Sequence, residues 1–146
     1  MSKKERSSSR ASLTHYGQKF LVIYSAYLNQ TVYICGKNSI GSKAKEAIDT
    51  KTGLYFSIAS LWEISIKINV GKLQLNRRFE DLPQELEYIN AQILPITFQD
   101  TEIYTSLPLH HRDPFDRILV AQAINYSLVL ISRDEAFDAY QIQRVW

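Results

Sequence analysis

The side chains best suited to chemistry are three aspartates near the carboxyl end of the chain. Asp113 and Asp116 flank the predicted start of a helix, because Pro114 is favoured in a first turn, where its missing N–H costs no hydrogen bond. Asp134 follows residues 128–131, a short apolar run of strand length. In open α/β sheets, ligands bind beyond the carboxyl ends of the strands, so Asp116 and Asp134 are predicted to face one crevice. Such a geometry suits a divalent cation.

A fourth carboxylate, Glu63, lies in a predicted helix that is otherwise apolar. We expect Ser60 to cap this helix and Gly71 to end it. A carboxylate in this setting either faces solvent or is buried with a partner. Its neighbours Trp62 and Ile64 suggest partial burial but leave both alternatives open, and Trp62 itself is expected to belong to the core.

These four residues suggest phosphodiester hydrolysis by metal-activated water. Mg²⁺ and Mn²⁺ prefer oxygen ligands, keep several waters, and are held by carboxylates from different elements. The sequence contains no histidine or cysteine array for a softer metal, no Gly-rich phosphate loop and no Gly-x-Ser-x-Gly elbow. The candidate ligands are therefore Glu63, Asp113, Asp116 and Asp134.

Each aspartate also has a purely structural interpretation. Asp113 can be an ordinary helix N-cap, and Asp116, three residues later, can complete a pair resembling a capping box. Asp134 can cap a terminal helix that begins at Glu135. Spacing alone does not separate capping from metal binding, so both remain open.

Two histidines and three arginines surround the aspartates. His110 or His111 could act as a general base, since histidine titrates near neutrality. The stretch is at least as consistent with loop structure or with phosphate contact, to which Arg112, Arg117 and Arg133 would add positive charge.

Composition predicts one ordinary domain. The 146 residues are 45% hydrophobic, and the net charge of +2 permits a nucleic-acid partner without indicating one. The single cysteine, Cys35, excludes an internal disulfide, and no apolar run is long enough for a membrane helix, so we expect a cytoplasmic protein. Residues 1–18 are polar and Ser-rich and predict a disordered tail, which leaves residues 19–146 for the domain.

Strand and helix patterns alternate along this domain. Residues 20–24 predict a central strand, and residues 42–49 predict a helix. Further strands are expected at residues 54–58, 93–96, 128–131 and 144–146, with helices at residues 60–71, 84–91, 98–107 and 114–125. This order predicts a small α/β sandwich with a parallel sheet.

Three segments together resemble the PIN-domain ribonucleases, specifically the VapC-like toxins of bacterial toxin–antitoxin pairs. They are SLWEISIKINVGKL at residues 60–73, LPLHHRDPFDRILVAQA at residues 107–123 and LISRDEAFDAY at residues 130–140. The resemblance covers roughly residues 38–146. It implies a three-layer α/β/α sandwich with a central parallel sheet, Mg²⁺ or Mn²⁺ as cofactor, and cleavage of RNA.

The resemblance also assigns roles to individual positions. Glu63, Asp116 and Asp134 would hold the metal, and Asp113, in the same motif, would assist them. Ser132 stands where the family often has Thr or Ser and would orient a ligand or water.

Substrate and partners follow from the same resemblance. Arg112 and Arg133 would steady the RNA backbone, and no separate general base is required. Members of the family are commonly homodimers inhibited by a small antitoxin protein.

The chain departs from the family at its first strand, which in other members ends in a metal-binding aspartate. Here the apolar run continues as Ile23, Tyr24 and Ser25, and nothing acidic occurs between Glu5 and Glu46. Two explanations compete: a catalytically degenerate copy, or a shifted reading frame upstream of about residue 37. A degenerate copy would be a scaffold that binds antitoxin or a related toxin without cleaving RNA. DNA cleavage by the same acidic chemistry is a more distant alternative.

Overall fold

The structure is a computed structural model that describes residues 20–22, 41–50 and 53–146. The predicted tail at residues 1–18 and Cys35 lie outside these ranges. Within the described ranges, no helix is long and apolar enough to cross a membrane.

A parallel sheet forms the centre of the described structure. Its strands, in chain order, are β1 (Phe20–Val22), β2 (Leu54–Ser57), β3 (Ala91–Leu94), β4 (Val129–Ile131) and β5 (Arg144–Val145). Their order across the sheet is β3-β2-β1-β4-β5, and every neighbouring pair is parallel. The chain runs outward from β1 to β3 and then returns to β4 on the other side of β1. Strand order therefore reverses beside β1, and this is where an open α/β sheet forms its ligand crevice.

Helices cover both faces of this sheet. They are α1 (Ser42–Asp49), α2 (Ile58–Asn69), α3 (Leu82–Tyr88), α4 (Phe98–Ser106) and α5 (Pro114–Asn125), with 3₁₀ segments at Phe79–Asp81 and Glu135–Ala139. Side chains alternate across the strands: Phe56 and Ile131 pack with α1, α2 and α3, whereas Leu130 packs against α5. The predicted three-layer α/β/α sandwich with a central parallel sheet is confirmed.

The start of α2 differs from the prediction. Ser57, the last residue of β2, is the N-cap, and its hydroxyl accepts a hydrogen bond from the Ala59 N–H at 3.1 Å. Strand and helix join without a loop because an N-cap residue keeps the extended backbone that a strand already has. Ser60 is therefore inside the helix and buried, and its hydroxyl has no hydrogen-bond partner among the described residues. Gly71 has φ +71° just beyond the helix, as the predicted end requires.

Two smaller expectations were also wrong. Strand β3 ends at Leu94 rather than extending over Pro95 and Ile96, because proline has no N–H to donate to a sheet. Trp62 is 59% exposed and does not belong to the core.

Asp100 connects helix α4 to helix α5. It forms a capping box with Thr97, accepting from the Thr97 N–H at 2.7 Å, and its other carboxylate oxygen accepts from the Asn125 side-chain amide at 2.8 Å. Asp100 is fully buried. Since Asn125 is the last residue of α5, this contact helps to set the direction of the helix whose first turn carries Asp116.

Replacing Asp100 by alanine should lower the free energy of unfolding by about 2–3 kcal/mol, because it leaves two donors without acceptors in a buried place. Urea denaturation followed by circular dichroism measures the change. Glu102→Ala, on the exposed side of the same helix, is the matched control and should change stability by less than about 0.5 kcal/mol. Equal effects of the two substitutions would contradict the role assigned to Asp100.

Candidate functional site

The predicted carboxylates come from three elements that meet at the carboxyl edge of the sheet. Glu63 lies in α2, which follows β2 directly, Asp116 lies in the first turn of α5, and Asp134 follows β4. Burial raises the pKa of Asp116 to about 6, and the negative charges of Asp113, Glu63 and Asp134 contribute to the rise. The charges of the other three carboxylates therefore influence Asp116, and a single metal site formed by all four stays a prediction.

The carboxylate of Asp116 does not cap helix α5. Asp113 is the N-cap of α5, and its Oδ1 accepts from the Phe115 N–H at 2.8 Å. The structural interpretation of Asp113 is thus confirmed, but the capping box with Asp116 is not formed. Asp116 is half-buried beside three other carboxylates, a costly arrangement that a bound cation would relieve.

Asp134 is held by hydrogen bonds on both carboxylate oxygens. Oδ1 accepts from the Ala136 N–H at 2.9 Å, which makes Asp134 the N-cap of the 3₁₀ segment, and Oδ2 lies 3.0 Å from His111 Nε2. The hydrogen bond from His111 is the main cause that lowers the pKa of Asp134, so its ionised form is favoured. The Asp134 N–H donates to the buried Ser132 hydroxyl at 3.0 Å, so Ser132 supports the turn that carries Asp134.

The structure shows which of the two alternatives holds for Glu63, exposure to solvent or burial with a partner. Its side chain is 13% exposed and forms an ion pair with Lys67, one turn later on α2, with 2.7 Å between Oε1 and Nζ. The carboxylate is thus largely buried with a cationic partner.

The donor set fits a hard divalent cation by its chemistry. All the candidate ligands are carboxylates, the preferred ligands of Mg²⁺ and Mn²⁺, and their mutual repulsion at Asp116 would be offset by positive charge. Within the described part of the chain, no three acidic, histidine or cysteine side chains are arranged closely enough to hold one metal ion. Glu63, moreover, is engaged by Lys67.

Arg112, Arg117 and Arg133 differ in solvent exposure. Arg117 is buried, donates to the backbone carbonyls of Pro108 at 2.8 Å and Leu107 at 3.1 Å, and lies over the Tyr104 ring. It therefore holds the segment before α5, so of the two alternatives for this stretch Arg117 has the structural one. Arg112 and Arg133 are exposed, each adjacent in sequence to one of the aspartates.

The importance of His111 was missed from the sequence, where it was grouped with His110 as a general base or loop residue. His111 is 9% exposed, stacks on Phe137 and Tyr140, and contacts Asp134, whereas His110 is exposed. The partners of His111 lie more than 20 residues further along the chain, so no local spacing pattern could identify the contact.

Comparisons with known proteins agree with this architecture. The PIN domain family model matches residues 31–143. A comparison with curated protein sequences gave no significant match.

Solved structures resemble the chain over most of its length. FitAcB from Neisseria gonorrhoeae is 17% identical, with a TM-score of 0.61 over 87% of this chain and 96% of that one. FitAB bound to an IR36 DNA fragment is 15% identical, with a TM-score of 0.62 over 86% and 93%, respectively. A toxin–antitoxin complex from Klebsiella pneumoniae is 15% identical, with a TM-score of 0.55 over 88% and 97%. At these identities the likeness concerns the fold.

The raised pKa of Asp116 predicts that Asp116→Asn stabilises the metal-free protein at neutral pH. An acid whose pKa rises from 3.8 to about 6 on folding binds more protons in the native state between these values, so stability falls as pH rises through this window. Removing the charge should therefore raise the free energy of unfolding at pH 7 by about 1 kcal/mol, after allowance for solvent screening, and by almost nothing below pH 4.

Urea denaturation between pH 4 and pH 8 in the presence of EDTA measures this difference. Glu102→Gln, an exposed acid on α4, controls for the loss of one negative charge. Parallel pH profiles for the wild-type and Asp116→Asn proteins would show that Asp116 is not in a repulsive cluster.

Proposed function

The chain belongs to the PIN domain family, and from this premise we propose that it is a metal-dependent endoribonuclease, the toxin of a toxin–antitoxin pair. The observation that carries the proposal is the raised pKa of Asp116, caused by burial and by three further carboxylates beside the crevice of a parallel sheet. Concentrating like charges in this way is unfavourable for folding, and it is typical of sites that bind a cation.

Asp116 and Asp134 are the proposed metal ligands, and Glu63 is the third after its carboxylate turns from Lys67 towards the metal. A bound Mg²⁺ or Mn²⁺ would supply activation of water and stabilisation of the charge that develops on the phosphate. Asp134 is ionised well below neutral pH, and Asp116 is ionised above about pH 6, so both present anionic oxygens at physiological pH. Asp113 assists by capping α5 and by adding its charge to the site.

Arg112 and Arg133 are the proposed contacts to the RNA backbone. Both are exposed and adjacent in sequence to Asp113 and Asp134, respectively, and arginine pairs well with phosphate oxygens. Their positive charge would also offset the repulsion between an acidic site and a polyanion. Ser132 would act indirectly, through the turn that carries Asp134.

An antitoxin protein and a second copy of the chain are the proposed partners. The solved neighbours include FitAB with DNA and a toxin–antitoxin complex, which supports an antitoxin partner. An apolar groove between α2, α4 and α5 exposes Trp62 and Ile66 and is lined by Phe115, and surfaces of this kind suit protein partners. The cytoplasm is the proposed location.

A second candidate is the degenerate scaffold that binds antitoxin without cleaving RNA. It is favoured by the ion pair of Glu63 with Lys67, which occupies a proposed ligand, and by the absence of acidic residues between Glu5 and Glu46. A scaffold needs the fold and the apolar groove, but it does not need the cation.

Cleavage of a mixed RNA substrate by the purified chain separates these candidates. The nuclease should cut RNA with Mn²⁺ or Mg²⁺ and not with EDTA, and Asp116→Asn should lower the rate by at least about 100-fold while remaining folded. Asp49→Asn is the matched control, because Asp49 is exposed at the end of α1 that leads towards the amino-terminal edge of the sheet.

Activity that survives in Asp116→Asn would contradict the role of Asp116. A folded wild-type protein that cuts nothing with either metal, yet binds a coexpressed antitoxin, would favour the scaffold.

A further inference from the structure

His111 is a buried imidazole that, within the described part of the chain, stacks on and hydrogen-bonds to residues 134–140. Its ring stacks on Phe137, with centroids 4.3 Å apart, and on Tyr140 at 5.6 Å. Its Nε2 lies 3.0 Å from Asp134 Oδ2, and its backbone N–H donates to the Tyr140 hydroxyl at 2.9 Å. Thus His111, which precedes α5, is joined to the segment that follows β4.

The Asp134 carboxylate can only accept hydrogen bonds, so it pairs with a His111 ring whose Nε2 carries a proton. The Tyr140 oxygen accepts from the His111 backbone N–H, and the Tyr140 hydroxyl proton can be donated to His111 Nδ1, 3.4 Å away. In the arrangement that we infer, Nδ1 is the acceptor and the ring proton is on Nε2. The three side chains form a relay in which every donor has one acceptor.

The relay orients the Asp134 carboxylate and leaves lone pairs on both of its oxygens for a cation. Oδ2 accepts from His111 and Oδ1 accepts from the Ala136 N–H, so each oxygen keeps lone pairs for a cation. Rotation of the carboxylate would break both bonds. Carboxylates that bind metals are commonly fixed in this way by a neighbouring hydrogen bond.

A contribution to the free energy of folding does not by itself explain the hydrogen bond between His111 and Asp134. The Asp134 side chain is 52% exposed, and an interaction with such an exposed carboxylate contributes little to the free energy of folding. His111 nevertheless directs its polar ring edge towards that carboxylate, while its ring faces pack against Phe137 and Tyr140.

We propose that His111 is a positioning residue: supported by Tyr140, it holds the Asp134 carboxylate in the orientation that binds the divalent cation. This inference rests on the proposed function, because it assumes that Asp134 is a metal ligand. His111 is not required to touch the metal or the RNA.

The test is Mn²⁺ affinity of the full chain without RNA, measured by electron paramagnetic resonance of free Mn²⁺. His111→Leu removes the donor and should weaken binding roughly 10–100-fold. His111→Gln can place an amide N–H near the position of Nε2 and should restore part of the affinity. Phe137→Leu weakens the stacking alone, so it should lower the free energy of unfolding and leave the Mn²⁺ affinity of the folded protein unchanged.

A measurement on the wild-type protein covers the case in which His111→Leu does not fold. Long-range ¹H–¹⁵N spectra of the metal-free protein identify the protonated ring nitrogen of His111, which should be Nε2. Tyr140→Phe keeps the packing but removes the hydroxyl, and it should weaken Mn²⁺ binding by less than His111→Leu. Protonation at Nδ1 alone would overturn the relay.

The outcomes distinguish this inference from the function on which it rests. If wild-type and His111→Leu proteins bind Mn²⁺ equally well, the positioning role is wrong and the metal site stands. If the folded wild-type protein binds no Mn²⁺, the metal site itself is wrong, and the role of His111 is overturned with it.

Discussion

Burial of Asp116 beside other carboxylates, at the carboxyl edge of a parallel sheet, is the constraint on which the proposed function depends. Desolvation is the largest cause of its raised pKa, the charges of Asp113, Glu63 and Asp134 add to it, and the rise expresses the energetic cost of keeping Asp116 ionised. The cost is sustained because the elements that carry these residues are anchored elsewhere. Helix α2 follows β2 without a loop, and α5 is packed on the sheet and connected to α4 through Asp100. In the proposed function, a bound cation would offset this cost.

Sequence reasoning succeeded wherever the determining signal is local. Pro114 after Asp113 predicted the start of α5, and Asp134 before Glu135 allowed a cap as one of two interpretations, because capping depends on neighbouring residues. The alternation of strands and helices predicted the parallel sheet, since a parallel pair needs a crossover between its strands.

Sequence reasoning failed where tertiary contacts determine the role of a residue. Ser60 has the right chemistry for a cap, but the strand ends three residues earlier, at Ser57. His111 looked like one of a pair, and only the fold brings it to Asp134 and Tyr140. Arg117 likewise resembled its neighbours Arg112 and Arg133 in sequence, yet its guanidinium is buried against backbone carbonyls. The predicted metal ligands thus came from the family resemblance and local patterning, whereas their supporting contacts needed the three-dimensional structure.

We propose that Glu63, Asp116 and Asp134 together bind one divalent cation. A crystal structure of the chain soaked in MnCl₂, with an anomalous difference map calculated at the manganese absorption edge, would show the cation and its ligands. We expect a single strong peak at the carboxyl edge of the sheet, within bonding distance of oxygens from Asp116 and Asp134, with Glu63 turned from Lys67 towards the metal. A map without a peak at this edge, in which Glu63 remains paired with Lys67, would contradict the proposal.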